Sequence, residues 1–221
     1  MNDTQAVLSF SHVWMTYFSV QDETQAIRDV TFDVYPGQFV AVIGPSGCGK
    51  STVLSLAAGL MKPARGQVRL LGRPIEGPDA QVGYMLQNDH LFSWRTIFKN
   101  AVLPLEIQKR NTPQAREHVR VLLEKYGLGA FCDKYPRELS GGMRQRAALI
   151  RTLAADPKLL LLDEPFSALD AQTRLAVAED LCGIMREQNK TVVLVTHDIS
   201  EALSMADRIL LLSHRPGSIV R

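Results

Sequence analysis

Apolar and polar positions along the chain follow two strand-like patterns. Leu8-Ser9-Phe10-Ser11 and Val30-Thr31-Phe32-Asp33-Val34 alternate, the second running into Pro36-Gly37, and Gln67-Val68-Arg69-Leu70-Leu71 runs into a glycine-containing turn. Successive side chains on a strand point to opposite faces, so alternation predicts antiparallel strands with one face wet. Phe39-Val40-Ala41-Val42-Ile43, Leu159-Leu160-Leu161-Leu162 and Val192-Val193-Leu194-Val195 are apolar throughout. Short continuous runs of this kind predict strands of a parallel sheet covered on both faces.

Helical spacing lies between these runs. One helix is predicted over 51–60, directly after a glycine-rich loop. A second starts at Thr112-Pro113, a cap followed by a first-turn proline. Its apolar positions are Ala115, Val119, Leu122 and Tyr126, and Gly127 stops it. A third is predicted over 172–188, with Leu175, Ala178, Leu181, Cys182 and Met185 on one face. The segment 88–156 reads as helices without a strand. The expected organisation is therefore one domain, 1–221. Within it, 1–87 and 157–221 form an α/β core with an antiparallel β subdomain, and 88–156 forms a helical insertion subdomain.

Composition narrows the function classes. The 221 residues are 46% apolar and 22% charged, enough for a substantial core. Lys and Arg number 25 against 23 Asp and Glu, a net +2 that argues against a nucleic-acid partner held by bulk attraction. No apolar run reaches the about 20 residues that span a bilayer, and no basic segment followed by an apolar one suggests a secretory signal. Cys48, Cys132 and Cys182 are far apart and contain no CxxC, so a disulfide framework or zinc site is not expected and a reducing compartment fits.

Gly44-Pro45-Ser46-Gly47-Cys48-Gly49-Lys50-Ser51 fits GxxxxGK[ST] at every fixed position. A buried strand leads in and a helix leads out, the context in which this pattern cradles phosphates. Glycines let successive N–H groups turn inward, and the helix N-terminus adds its positive end. Lys50 suits the β and γ phosphates, the Ser51 hydroxyl suits Mg²⁺, and Thr52 can add a contact to the α-phosphate. The expected ligand is Mg-ATP.

Asp163 and Glu164 follow the apolar run 159–162, at the carboxyl end of a buried strand where ligands of open α/β sheets sit. Asp163 suits holding Mg²⁺ through water. Glu164 is placed to polarise an attacking water as a general base. Shortly before, in Leu139-Ser140-Gly141-Gly142-Met143-Arg144-Gln145-Arg146, Ser140 reads as the cap of a helix through Ala147, Ala148, Ile150, Arg151 and Leu153. Gly141-Gly142 leaves backbone amides bare at its positive end. That makes either a second anion site or an ordinary capped helix.

This segment resembles the signature motif of the nucleotide-binding subunits of ATP-binding cassette transporters, and the resemblance covers essentially the whole chain in the family's order of motifs. It implies a P-loop NTPase core with a mainly parallel sheet. It also implies an ATPase in which Tyr17 stacks on adenine, with Phe18 competing for the role and strand packing the alternative for Tyr17. Residues 44–52, namely Gly44, Pro45, Ser46, Gly47, Cys48, Gly49, Lys50, Ser51 and Thr52, would bind ATP, with Gln87 as the Q-loop glutamine touching Mg²⁺. Ser51, Gln87 and Asp163 would then hold the metal. Catalysis would rest on Glu164, Lys50 and the switch histidine His197. Ser167-Ala168-Leu169-Asp170 would form the D-loop. Two copies would pair head to tail, so that Leu139, Ser140, Gly141, Gly142 and Gln145 of one act on the ATP held by the other.

The partners so implied are a second copy, two permease subunits and an extracytoplasmic solute-binding protein, at the cytoplasmic face of a bacterial inner membrane. Ile75-Glu76-Gly77-Pro78-Asp79, residues 87–96 and Leu212-Ser213-His214-Arg215-Pro216-Gly217 resemble the nitrate, sulfonate and taurine importers, a group that also includes transporters of thiamine-precursor pyrimidines. Phe92, Trp94 and Phe98 lie where the family docks its permease, as partner contacts or as subdomain core. Only residues 198–221 follow His197, so no C-terminal regulatory domain is expected. An export subunit and a soluble cassette ATPase of repair or translation are the rivals. A GTPase is disfavoured because Asn189-Lys190-Thr191-Val192 lacks the Asp of a base-reading motif.

Overall fold

The computed structural model describes residues 5–18, 23–167 and 171–220. Two sheets share the chain. The first is antiparallel, built from β1 (Leu8–Phe18), β2 (Glu23–Val34), β4 (Arg65–Leu70) and β5 (Arg73–Pro74) in the order β2-β1-β4-β5. The second is parallel, built from β3 (Phe39–Ile43), β6 (Val82–Met85), β7 (Leu159–Asp163), β8 (Thr191–Val195) and β9 (Arg208–Leu211) in the order β6-β7-β8-β3-β9. The three wholly apolar runs are its three interior strands, as their lack of alternation requires.

Each interior strand contributes to two cores. Leu160 and Leu162 of β7, with Val192 and Leu194 of β8, face a core that also contains Ile97, Val119, Leu123 and Ile150 of the helical segment. Leu159, Leu161, Val193 and Val195 face the other side, with Val40 and Val42 of β3 and Leu8, Phe10 and Val30 of the antiparallel sheet. Phe10 and Phe32 are paired across β1 and β2 and stack with ring centroids 4.6 Å apart.

The helices are α1 (Lys50–Ala57), α2 (Ile97–Ala101), α3 (Leu103–Ile107), α4 (Pro113–Lys125), α5 (Gly141–Leu153), α6 (Ala171–Glu187) and α7 (Ile199–Met205). Helix α4 is capped by the Thr112 side chain, and Gly127 takes φ +71° beyond its end, as its turn chemistry predicts. Helix α1 stops short of residue 60 because Gly59 turns left-handed, and a Cβ there would stand 2.2 Å from the Gly77 carbonyl.

Three strands have no counterpart in the sequence reading, β5, β6 and β9. Strand β5 is only two residues long, and β6 and β9 are the edges of the parallel sheet. Strand β6 is broken by Gly83, whereas β9 with the residue after it carries the run Ile209-Leu210-Leu211-Leu212, as long as those of β7 and β8, which the sequence reading passed over. Strand β1 extends beyond the alternation read for it because the register against β2 shifts between Phe10 and Val13, with His12 at φ +49°. Such a bulge resets the two-residue rhythm.

Candidate nucleotide site

The loop between β3 and α1 is shaped by its glycines. Gly49 caps α1 at φ +105°, and a Cβ there would stand 3.0 Å from the Ala26 carbonyl. Gly47 takes φ +74° with open space around it, so its glycine serves backbone conformation, not clearance. Lys50 is buried, and its ammonium donates to the carbonyls of Gly44 at 2.8 Å and Pro45 at 2.9 Å, curling back over the loop. Cys48 points into the core while Ser46 and Gly47 are exposed.

The loop opens on a cleft of about 360 Å³ whose walls include Tyr17, Lys50, Gln87, Glu164 and Arg215. The Tyr17 hydroxyl lies 3.1 Å from Thr52 Oγ1, which brings the first strand to the start of α1. Phe18 stands next to it, largely exposed, and is absent from the cleft wall.

Asp163 and Glu164 diverge, as neighbours at a strand end must. Asp163 is only 7% exposed, and Ser51 Oγ donates to its Oδ1 at 3.4 Å. Burial pushes its carboxyl above the usual range, Ser51's hydrogen bond opposes this, and the nearby Glu164 charge adds to it. The Tyr84 hydroxyl approaches the other carboxylate oxygen at 3.5 Å. Burial first, and the Asp163 charge second, push that phenol up to about 12. Tyr84 escaped the sequence reading because a lone tyrosine on an edge strand has no motif to mark it.

Glu164 takes φ +46°, an uncommon conformation for a residue with a side chain, and its N–H donates to the Val195 carbonyl at 2.9 Å. The turn aims its carboxylate into the cleft. Gln87 Nε2 donates to Glu164 Oε2 at 3.0 Å, and His197 Nδ1 lies 3.3 Å from the same oxygen. Around His197, Thr196 Oγ1 donates to Glu201 at 2.5 Å, and the Asp198 side chain caps α7. Residues from the ends of β6, β7 and β8 thus meet at one carboxylate.

The segment 139–145 does not reach this cleft. Ser140 Oγ accepts from the Met143 N–H at 3.3 Å and caps α5, with Ser140 exposed and Gly141 and Gly142 part-exposed. Leu139 and Gln145, by contrast, are buried, Gln145 at 4% exposure. Of the five residues expected to act on a partner's ATP, Ser140 and the two glycines offer an outward surface, because hydrophobic packing turns the Leu139 side chain in and helical phase turns Gln145 in. Ser167 is described and exposed, its N–H donating to the Glu164 carbonyl at 3.1 Å. Ala168, Leu169 and Asp170 lie outside the described residues.

Helix α5 is tied to the segment after Gln87. Arg144 Nε donates to Asp89 at 2.9 Å, and Arg151 donates to the Asp89 and His90 carbonyls, both at 2.7 Å. Beyond it, Asn100 is fully buried and its amide pins the loop 92–96 through the Phe92, Arg95 and Thr96 carbonyls. Phe98 is 6% exposed, with Arg120 lying 4.4 Å over its ring, so it belongs to the hydrophobic core. Trp94 is 72% exposed and sits against Phe92, at a groove of about 560 Å³ bordered also by Lys99 and Glu106.

The sequence profile described as ABC transporter matches residues 27–167 of this chain. The chain belongs to that family. An uncharacterized ABC transporter ATP-binding protein of Bacillus subtilis, YtlC, is 50% identical over 96% of this chain and 82% of its own length. The taurine import ATP-binding protein TauB of Yersinia pestis is 43% identical over 97% of this chain and 82% of its own. Among solved structures, the dimeric bacterial ABC transporter cassette MJ0796 superposes with a TM-score of 0.86 at 32% identity, covering 97% of both chains. A second structure of that cassette holds ADP and Pi in a post-hydrolysis state. The α/β fold with its parallel sheet is thus the cassette fold, and this chain is an ABC ATPase. Among the described residues, no helix is long and apolar enough to cross a membrane.

Proposed function

We propose that this cassette binds and hydrolyses Mg-ATP to drive import of a small solute through separate permease subunits, at the cytoplasmic face of a bacterial inner membrane. The observation that carries the chemistry is that Gln87 and Glu164 line the cleft that holds Lys50, with His197 and Gln87 both reaching the Glu164 carboxylate. The cleft binds the triphosphate through the loop 44–52, with Tyr17 against the base. Lys50 exchanges its carbonyl partners for β and γ phosphate oxygens. Glu164 accepts a proton from the attacking water, and His197 holds that carboxylate and contacts the γ-phosphate.

Ser51 and Asp163 offer hard oxygen donors 3.4 Å apart, and Gln87 lies at the same cleft, a set that fits Mg²⁺ shared with phosphates. Mg²⁺ bound there would neutralise charge on the phosphates. Ser140, Gly141 and Gly142 present the α5 N-terminus away from the chain's own cleft, which suits closure over the ATP of a second copy. Two-fold symmetry repeats that contact at both sites. The D-loop segment 167–170 belongs to the same reading, as does the division into core (1–87, 157–221) and helical subdomain (88–156).

The groove beside Trp94 and Phe92 is the proposed permease dock, and the likeness to a taurine import protein favours a small sulfonate or similar oxyanion as cargo, delivered by an extracytoplasmic binding protein. The test is reconstitution of this chain with its permease and binding protein in proteoliposomes. ATP-dependent accumulation of taurine, alkanesulfonate or nitrate supports the reading. Absence of uptake for all three rejects the cargo, and outward movement of solute rejects import.

A further inference from the structure

The turn that follows β9 carries a guanidinium to the nucleotide cleft. Ser213 organises this turn: its N–H donates to the Ser218 carbonyl at 2.9 Å, and its Oγ accepts from the Ser218 N–H at 3.0 Å. Gly217 fastens it to β2, donating to the Ala26 carbonyl and accepting from the Arg28 N–H, both at 2.9 Å. A Cβ on Gly217 would stand 2.1 Å from the Cys48 carbonyl, so the turn lies directly on the phosphate loop, and glycine is what permits the approach. On its other flank, the Leu212 N–H donates to the Ile43 carbonyl at 2.8 Å, at the point where the loop begins.

The turn is therefore fastened beside the loop 44–52 by backbone hydrogen bonds to β2 and to the end of β3. At its tip Arg215 lines the cleft shared by Tyr17, Gly47 and Lys50. Among the described residues Arg215 has no ion pair or hydrogen bond. Arg95, Arg144 and Arg174, by contrast, each pair with a carboxylate. An arginine that forms no ion pair, held by a fixed turn at the rim of an anion-binding loop, leaves its planar fork of donors free for a phosphate, the geometry for which guanidinium is suited.

We infer that Arg215 is a nucleotide-binding residue that donates to a phosphate oxygen of ATP from the turn that follows β9. The inference rests on the loop 44–52 being the triphosphate site. Because Arg215 is exposed, its replacement leaves the core intact, and the contact is open to solvent and weakened by salt.

The test measures Mg-ATP and adenosine affinity by calorimetry on the full chain and its Arg215→Ala, Arg215→Lys and Lys50→Ala variants. Arg215→Ala is expected to weaken Mg-ATP binding about ten-fold, the lower range for a charged hydrogen bond, while adenosine binding stays unchanged. Arg215→Lys is expected to recover part of the loss, and the deficit is expected to shrink as salt rises. The inference is overturned if Arg215→Ala binds Mg-ATP within about two-fold of the parent while Lys50→Ala loses it. Equal weakening of adenosine and ATP overturns it as well, since the residue then acts on the nucleoside. Full ATP affinity in Lys50→Ala would instead overturn the loop assignment, and this inference with it.

Discussion

Gln87 and His197 approach the same oxygen of Glu164, Oε2, at 3.0 Å and 3.3 Å, from the connections after β6 and β8. The carboxylate is positioned by side chains far apart in sequence, so its geometry is a product of the parallel sheet. Glu164→Gln keeps the shape and removes the base. The variant is expected to bind ATP, to lose about 10²- to 10⁴-fold in turnover, and to accumulate as an ATP-dependent dimer. Phosphate release and size-exclusion chromatography with saturating ATP check this; a monomer with full turnover rejects both the base and the head-to-tail pairing over ATP.

Lys50 satisfies two loop carbonyls, at 2.8 Å and 2.9 Å, so its charge also holds the loop closed on itself. Lys50→Ala is expected to weaken Mg-ATP binding by about 10- to 100-fold, the range for loss of a charged hydrogen bond. Equilibrium dialysis with nucleotide measures it, and circular dichroism separates this loss from unfolding.

Leu160 and Leu161 are adjacent on β7, fully buried, and face opposite cores. Each truncation to Ala is expected to cost about 2–5 kcal/mol by urea unfolding, because both sides are close-packed. If one face were wet, its variant would cost well under half of the other's, and the two-core arrangement would be wrong.

Asp156 takes φ +53° after α5 and pairs with Lys190. Lys190's hydrogen bond holds its carboxyl below the usual range, against a smaller opposing effect of burial. A depressed folded value means that the pair stabilises the fold above the unfolded carboxylate pKa and ceases to do so as pH falls through the folded one. Asp156→Asn tolerates the left-handed backbone. It is expected to cost under about 1 kcal/mol at neutral pH, since Asp156 is largely exposed, and nothing once acid has protonated the parent's carboxyl. Chemical denaturation at neutral and acid pH tests this; a cost independent of pH argues against the pair.

The local elements of the site were legible in the chain. GxxxxGK[ST] names a loop whose conformation is set by its own glycines, and the Ser140 cap and the Thr112 cap act within three residues of themselves. The three interior strands announced themselves because burial on both faces demands apolar residues at every position. Edge strand β6 did not, since a half-covered strand faces no such demand, whereas the run Ile209-Leu210-Leu211-Leu212 at β9 was legible but passed over. Gln87, Glu164 and His197 could be paired only by family resemblance, because nothing local to any of them records that β6, β7 and β8 are neighbours. Tertiary structure alone turned Leu139 and Gln145 inward and split Phe98 from Trp94, since helical phase and packing choose which side of a segment is buried. It also brought Arg215 to the cleft. That contact depends on Gly217 lying against Cys48, two residues joined by the fold and by nothing in their separate neighbourhoods.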